Sequence, residues 1–304
     1  MPIWLTGCLL LLAIYLLAGV MLSFLLTHIR RQTLPEAYEW QAAHYDISWY
    51  EGLAKKDFII RSYDGYSIHA QLLSNAHPSG KYVIISHGYT DNRYGALKYA
   101  KAYLELGFHV IIYDLRGHGA NQKTFCSYSV REAKDLNSLI QYCRQQIGSS
   151  AVLGIHGESL GAATSIACLK YAPDIQFAVS DCGFSEIISI FTAGIRQQHL
   201  PVSLLKIASF ILMLRSGIRF EDMRPIDSLN NNRVPVMYIH GANDSFIVPD
   251  HSVKMSEATK SYCEIHLIPE AGHAQSALIA PEDYKKFVHS FLRHILPEQN
   301  AMES

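Results

Sequence analysis

The chain has 304 residues, of which 49% are hydrophobic and 17% are charged, with 26 basic and 27 acidic side chains and a formal net charge of −1. A chain of this length accommodates one α/β domain with a buried sheet and a short appendage, and its apolar composition excludes an intrinsically disordered protein. No run of lysine and arginine exceeds two residues. The sequence therefore excludes a nucleic-acid-binding protein, which needs a basic surface to neutralise phosphates.

The amino-terminal segment is long and apolar enough for one membrane span. No residue from Ile3 to Thr27 is charged, and Leu5–Leu26 is dominated by aliphatic side chains. A cleaved signal peptide is the alternative, but no basic residues precede this run and no small-x-small cleavage site follows it. Arg30 and Arg31 come after the run, so the positive-inside rule places the rest of the chain in the cytoplasm. We expect residues 1–30 to anchor the protein in the lipid bilayer of the cell membrane as a single-pass helix.

Residues 31–56 carry mixed charge and several aromatic side chains, which is typical of a juxtamembrane connector that packs partly on the following domain. Between residues 57 and 296, short β-rich runs alternate with helical patterns, and residues 297–304 form a tail. This alternation predicts a mostly parallel eight-stranded sheet with helices on both faces. The predicted strands are Phe58–Ser62, Ser67–Leu73, Tyr82–Ser86, His109–Asp114, Ala151–His156, Phe177–Ser180, Val236–His240 and Glu264–Ile268. The predicted helices are Tyr94–Leu106, Val130–Ile147, Leu160–Tyr171, Asp250–Ala258 and Pro281–Ile295.

Residues 184–229 interrupt the alternation between the sixth and seventh predicted strands. Two apolar stretches in this segment, Ile187–Ile195 and Leu204–Leu214, have the pattern of helices. An insertion at this point can cover the carboxyl ends of the strands, where ligands bind in open α/β sheets. We interpret the segment as a helical lid that lines a pocket for uncharged or apolar acyl groups. An insertion that only packs on the domain is the alternative.

The sequence Gly157-Glu158-Ser159-Leu160-Gly161 fits the pattern G-x-S-x-G. It follows an apolar run that predicts a strand and opens a helix that is rich in small residues. This context is typical of a nucleophile elbow, in which small residues allow strand, turn and helix to approach closely while the serine hydroxyl projects over the sheet edge. Ser159 is therefore the candidate nucleophile.

A serine hydroxyl needs a base to remove its proton, and on this type of sheet the acid and the base follow in the order Asp/Glu, then His. Asp244 comes four residues after the strand Val236–His240, and His273 comes after the next predicted strand. Both lie in loops at the carboxyl edge of the sheet. We predict that His273 is the general base and that Asp244 orients it.

Two backbone amides are expected to stabilise the oxyanion of the tetrahedral intermediate. The amide of Leu160 directly follows the nucleophile and lies at the positive end of a helix, and the amide of Tyr89 follows the third predicted strand. Cys182, at the end of the sixth predicted strand, is a rival nucleophile in principle. Because no helix follows it and no histidine is paired with it, we interpret Cys182 as a buried thiol.

We expect no metal and no cofactor. Neither the cysteines nor the four His-Gly pairs show a metal-ligand spacing, and the glycines and histidines of those pairs are better explained by tight turns and local hydrogen bonds. With Cys8 in the apolar leader, five cysteines remain, and this odd number favours free thiols in a reducing compartment over two disulfides and a spare thiol. The residues concerned are the histidines His87, His118, His156 and His240 and the cysteines Cys8, Cys126, Cys143, Cys168, Cys182 and Cys263.

From about Lys56 to Leu296 the chain resembles bacterial α/β-hydrolases with one amino-terminal membrane span, which are related to serine hydrolases described as acyl esterases or as serine-aminopeptidase-like proteins. The resemblance implies an α/β-hydrolase fold and a Ser-His-Asp triad. It leaves the substrate open, because one scaffold of this kind hosts many activities. The segments that carry it are Ser86–Thr90, Asp114–Gly119, Gly157–Thr164, Asp181–Gly183, His240–Pro249 and Ala271–Ala274.

The expected activity is the hydrolysis of a small-molecule acyl substrate, in first place a carboxylic ester, through an acyl-enzyme intermediate. A peptidase or a thioesterase with the same triad is the alternative, because the leaving group does not show in the sequence. A membrane-tethered binding protein on an inactive hydrolase scaffold is a further alternative, but such scaffolds usually carry a degenerate triad.

Overall fold

The computed structural model describes residues 2–28, 30–77 and 79–296, so the predicted tail 297–304 lies outside the described residues. The helices are α1 Ile3–Thr27, α2 Leu34–His44, α3 Leu97–Glu105, α4 Val130–Ile147, α5 Leu160–Cys168, α6 Ile187–Gln197, α7 Ser203–Ser216, α8 Asp250–Ala258, α9 Ser276–Ile279 and α10 Pro281–Ile295. The strands are β1 Ala54–Arg61, β2 Ser67–Ser74, β3 Lys81–Ser86, β4 His109–Tyr113, β5 Val152–Glu158, β6 Phe177–Asp181, β7 Val236–Gly241 and β8 Cys263–Ile268.

The eight strands form one sheet in the order β1-β2-β4-β3-β5-β6-β7-β8. The pairs β1/β2 and β2/β4 are antiparallel, and every other pair is parallel. The predicted eight-stranded, mostly parallel sheet is confirmed. The largest difference is at β1, which begins at Ala54 rather than Phe58. As an edge strand it keeps the polar side chains of Lys55, Lys56 and Asp57 in solvent, so hydrophobicity does not mark its first half.

Helices cover both faces of the sheet, and the central strands are buried on both sides. All five residues of β4 are buried, and so are the last four of β3. Ile84 and Ile111 pack in one core with α4 and α5, whereas Val83 and Val110 pack in the other with α3 and α10. Parallel strands covered on both faces are expected to be apolar in this continuous way. The fold therefore brings the carboxyl ends of β3, β5, β6, β7 and β8 to one edge.

Part of the predicted connector is a helix that the sequence analysis missed. Helix α2 begins with a capping box, in which Thr33 Oγ1 accepts from Glu36 N at 3.4 Å and Glu36 Oε2 accepts from Thr33 N at 2.8 Å. The pattern Thr-x-x-Glu, with Pro35 inside the first turn, is the sequence signal for such a start. Ring contacts of Tyr38 with Tyr94, at a centroid distance of 5.4 Å, hold α2 on the domain.

Helix α1 is long and apolar enough to cross a membrane, a property that signal sequences near the amino terminus share. Its second half packs on α7 through one stripe of small side chains. Gly19, Ser23 and Thr27 are its buried residues, spaced four apart as in close helix pairs. The Tyr15 hydroxyl contacts Ser203, a Cβ on Gly19 would overlap the side chain of Ile207, and Arg215 Nη2 donates to Thr27 Oγ1 at 3.2 Å. The two helices therefore run parallel with a constant offset of register.

This packing predicts that a large side chain at Gly19 separates α1 from α7. In the background Cys8→Ser, the pair Tyr15→Cys and Ser203→Cys is expected to form a disulfide under mild oxidation, because the constant register sets these two positions opposite one another, one turn before the close approach of Gly19 and Ile207. Adding Gly19→Leu should abolish this cross-link, measured by the mobility shift on non-reducing gels. Gly7→Leu is the matched control, since a Cβ there meets no atom within 4 Å. Equal cross-linking with both leucines would contradict the packing.

Candidate active site

Ser159 lies at a sharp turn between β5 and α5. Its backbone has φ 52° and ψ −112°, in the region that is unfavourable for residues with a side chain. Two backbone hydrogen bonds hold the turn: Ser159 N donates to Asp181 O at 2.8 Å, and Ala163 N donates to Ser159 O at 2.9 Å. A Cβ on Gly157 would overlap the backbone of Gly161. The predicted elbow geometry is therefore present at this motif.

The structure brings the three predicted triad side chains together. Ser159 Oγ lies 2.9 Å from Nε2 of His273, and Nδ1 of His273 lies 2.7 Å from Oδ2 of Asp244. Asp244 Oδ1 accepts from the backbone amides of Phe246 and Ile247, both at 2.9 Å. These bonds fix the carboxylate, and a carboxylate acceptor at Nδ1 leaves Nε2 free to accept the serine proton.

Asp244 is ionised in this environment. Burial acts to raise its pKa, but the hydrogen bonds from His240 and His273 and the charge of His273 outweigh burial and hold the pKa of Asp244 below its ordinary value. An ionised Asp244 both orients His273 and stabilises the imidazolium that forms during proton transfer.

The two predicted oxyanion residues lie beside Ser159. Leu160 opens α5, and the first amides of a helix have no partner inside that helix. Tyr89 follows β3 and lines the same cavity as Ser159. The carbonyl of the next residue, Thr90, accepts from Gln32 N at 2.6 Å, so the connector is bonded directly to this loop. That the amides of Leu160 and Tyr89 stabilise an oxyanion stays a prediction.

Ser159 and His273 line a cavity of about 340 Å³. Its wall opposite the sheet comes from the connector and α2, which supply Gln32, Trp40, His44 and Tyr45. No residue of 184–229 is among those that line this cavity, and that the insertion forms a lid over an acyl pocket stays a prediction. Instead, α2 folds back over the loop after β3 and forms this wall, held by the bond from Asn92 Nδ2 to Thr33 O at 3.0 Å.

The insertion 184–229 contains the two predicted helices, and it packs elsewhere. Phe191 of α6 makes a T-shaped ring contact with Tyr128 at 5.2 Å, and α7 packs on α1. The segment thus joins the domain to α1.

The cavity carries a buried group of charges that the sequence analysis did not single out. Lys98 forms an ion pair with Glu158, and Tyr99 donates to Glu158 Oε2 at 2.5 Å and to Asp181 Oδ2 at 3.0 Å. Burial acts to lower the pKa of Lys98, but Glu158, together with Tyr45 and Asp91, outweighs burial and raises that pKa above its usual range. Burial, with Glu158 second, raises the pKa of Asp91 to about 7 and that of Asp181 to about 6. The sequence signal that could have revealed this group is the position of Glu158, directly before the predicted nucleophile in the G-x-S-x-G motif.

The rival nucleophile and the four His-Gly histidines have other roles. Cys182 is fully buried, and burial followed by the charge of Asp181 raises the pKa of its thiol, so the reactive thiolate is disfavoured. The histidines make local hydrogen bonds, as when Leu115 N donates to His87 Nε2 at 2.9 Å. The six cysteines are all free thiols.

A model of the prolyl oligopeptidase family matches residues 96–298. The chain is 29% identical over 280 residues to the uncharacterized protein YqkD of Bacillus subtilis (strain 168), an alignment that covers 90% of this chain and 92% of YqkD. The esterase Pf2001 of Pyrococcus furiosus superposes with a TM-score of 0.67 at 22% identity, over 80% of this chain and 92% of the esterase. A puromycin-hydrolyzing peptidase of Mycobacterium tuberculosis superposes with a TM-score of 0.64 at 18% identity, over 81% of this chain and 40% of the peptidase. The last two similarities show a shared fold.

Proposed function

The chain belongs to the prolyl oligopeptidase family and is a serine hydrolase of the α/β-hydrolase type, and we propose that it cleaves carboxylic esters through a triad of Ser159, His273 and Asp244. One observation carries this proposal: the hydrogen-bonded series from Ser159 Oγ through His273 to Asp244, with the serine on a strained elbow at the carboxyl edge of the sheet. A nucleophile, a base in contact with it and a group that orients the base are what acyl transfer requires.

The reaction proceeds in two acyl-transfer steps. His273 Nε2 takes the proton of Ser159 Oγ as the oxygen attacks the substrate carbonyl, and the amides of Tyr89 and Leu160 donate to the oxyanion. When the tetrahedral intermediate collapses, the imidazolium gives its proton to the leaving group. Water then attacks the acyl-serine with His273 as base, which releases the acid and restores the serine hydroxyl.

An amide is the second candidate substrate. The family is named for peptidases, and one structural neighbour is described as hydrolysing puromycin, whereas another is described as an esterase. The triad serves both bonds, because only the leaving group and the proton it needs differ. A panel of matched esters, thioesters and amides of one acyl group, assayed with the purified full chain in detergent, separates the candidates by kcat/KM.

We further propose that α1 anchors the protein in a membrane with the catalytic domain on the cytoplasmic side. The uncharged length of α1 supports the anchor, and Arg30 and Arg31 after it support the orientation. The free thiols of the domain are compatible with a reducing compartment.

Replacement of the nucleophile should abolish turnover while the fold remains. Ser159→Ala is expected to lower kcat on the best ester by a factor on the order of 10⁴ or more, because no other group on the elbow can form the acyl intermediate. His273→Ala should cost about as much and the double variant little more, since the members of a triad act as a unit. Asp244→Asn should cost less than either. Steady-state kinetics measure the losses, and thermal unfolding checks the fold.

Cys182→Ala is the control for the rival nucleophile, and it is expected to leave kcat within a few-fold of wild type because the thiol is buried away from the cavity. Retention of more than a few per cent of turnover by Ser159→Ala, together with its loss in Cys182→Ala, would show that the nucleophile is misassigned.

The membrane proposal predicts protection of the catalytic domain. Protease added to intact cells that produce the protein should leave the domain uncut, and permeabilised cells should show rapid digestion. Immunoblotting of the domain provides the measurement. Digestion in intact cells would contradict the orientation, and a mature chain that lacks about the first 25 residues would contradict the anchor.

A further inference from the structure

We propose that the cavity beside Ser159 contains an ammonium subsite formed by Glu158, Asp91 and the ring of Trp40, so that the acyl group of the substrate carries a protonated amine. This inference rests on the proposed function, because it names the acyl group that the same site accepts. It differs from the apolar acyl pocket that the sequence predicts for residues 184–229.

One oxygen of Glu158 supplies the first acceptor. Its Oε2 accepts from Tyr99 and from Lys98, but no hydrogen bond in the described part of the chain uses Oε1. The side chain is only 7% exposed, and it lines the cavity. A Cβ on Gly88 would lie 2.8 Å from Oε1 and 3.8 Å from Cβ of Ser159, so both groups border the same space. Oε1 is therefore reached from the cavity and can accept from a ligand amine there, while the rest of the carboxylate is buried.

Asp91 supplies the second acceptor. Its Oδ1 accepts from Asn92 N at 2.8 Å, and no hydrogen bond among the described residues uses Oδ2. The neighbouring cation, Arg93, is bound to Asp114 at 2.7 Å and does not compensate Asp91. Burial, followed by the charge of Glu158, raises the pKa of Asp91 to about 7, although the charge of Lys98 acts to lower it. A cation in the cavity would stabilise the ionised carboxylate.

One positive charge would balance the net charge of the acidic and basic residues that line the cavity. Asp91, Glu158 and Lys98 line it, and when all three are ionised their net charge is −1. Lys98 does not fill the vacant acceptors, because its side chain is 3% exposed and is held on Oε2 of Glu158. One substrate ammonium neutralises these three residues, whereas an anionic acyl group would add a second uncompensated charge. The Asp181 carboxyl, which shares Tyr99 with Glu158, lies next to them and adds no positive charge.

The aromatic wall favours the same ligand. The Lys98 ammonium lies 5.9 Å from the ring centre of Trp40 and 5.7 Å from that of Tyr45, so these faces already stabilise one cation. Trp40 remains 40% exposed and lines the cavity, which leaves part of its surface for a ligand. A cavity of about 340 Å³ is near the lower end for ligand sites and suits an aminoacyl group better than a long acyl chain.

The test compares esters of one alcohol whose acyl groups differ in the amine. The benzyl esters of alanine, β-alanine and propionic acid are hydrolysed by the full chain in detergent, at a pH where the amines are protonated. Wild type should prefer at least one of the amine-bearing esters. Asp91→Asn should lower kcat/KM for that ester by about 10- to 100-fold, the loss expected for a charge-assisted contact, and should lower it much less for benzyl propionate. The intrinsic reactivity of each ester cancels when the two enzymes are compared.

Two more variants make the result specific. Trp40→Leu keeps an apolar side chain on the opposite wall and should reduce the preference for the amine several-fold. Asp283→Asn removes an exposed carboxylate of α10 and should leave the preference unchanged. Two results would overturn the subsite alone, provided that wild type hydrolyses benzyl propionate. One is that wild type shows no preference for the amine-bearing esters. The other is that Asp91→Asn and Trp40→Leu keep the preference of wild type. Failure of wild type to hydrolyse any of the three esters would overturn the proposed esterase function as well.

Discussion

The close approach of three backbone segments around Ser159 is the constraint on which the rest of the site depends. A Cβ on Gly161 would overlap the carbonyls of Ser86 and His87, and a Cβ on Gly157 would overlap Gly161 itself. Only glycine at both positions lets β3, β5 and α5 meet, and this contact holds Ser159 at a positive φ. Strain of this kind costs on the order of 1–3 kcal/mol and persists because the surrounding strands over-determine it. As a result, the Ser159 hydroxyl projects over the carboxyl edge of the sheet, where Asp244 and His273 lie in the loops after β7 and β8.

The parts of this arrangement that depend on local pattern could be predicted from the sequence. All eight strands were predicted, and the signal was strongest for the buried parallel strands at the centre, which are continuous apolar runs. The geometry of Ser159, Asp244 and His273 follows the order of loops along one sheet edge. The wall of the cavity could not be predicted. Trp40 and Tyr45 are more than 100 residues away from Ser159 in the sequence, and nothing in their periodicity reveals a tertiary contact. The strongest local signal, the Thr33–Glu36 capping box, indicates a helix but not the loop on which it folds.

The proposed membrane span and the docking on α7 compete for the same residues of α1. At 1.5 Å per residue, the 25 residues of α1 extend about 37 Å, which exceeds the roughly 30 Å of a hydrocarbon core. When α1 is docked on α7 from Tyr15 onward, only about 18 Å of the helix is free, which is less than the thickness of the hydrocarbon core. A docked α1 can therefore cross the bilayer upright only if α7 also enters the bilayer. Entry of α7 into the bilayer is unfavourable, because placing the exposed Lys206 in the hydrocarbon core costs roughly 3 kcal/mol. Spanning therefore separates α1 from α7, and the connector that follows α1 is bonded to Thr90, beside the predicted oxyanion amide.

The central claim is that Ser159 is an activated nucleophile, and covalent labelling tests it most directly. The full chain in detergent is treated with a fluorophosphonate, digested and analysed by peptide mass spectrometry. One adduct is expected, on the peptide that contains Ser159, and labelling should be lost when His273 is replaced by alanine. An adduct at another residue, an unlabelled wild-type chain, or labelling that does not depend on His273 would contradict the claim.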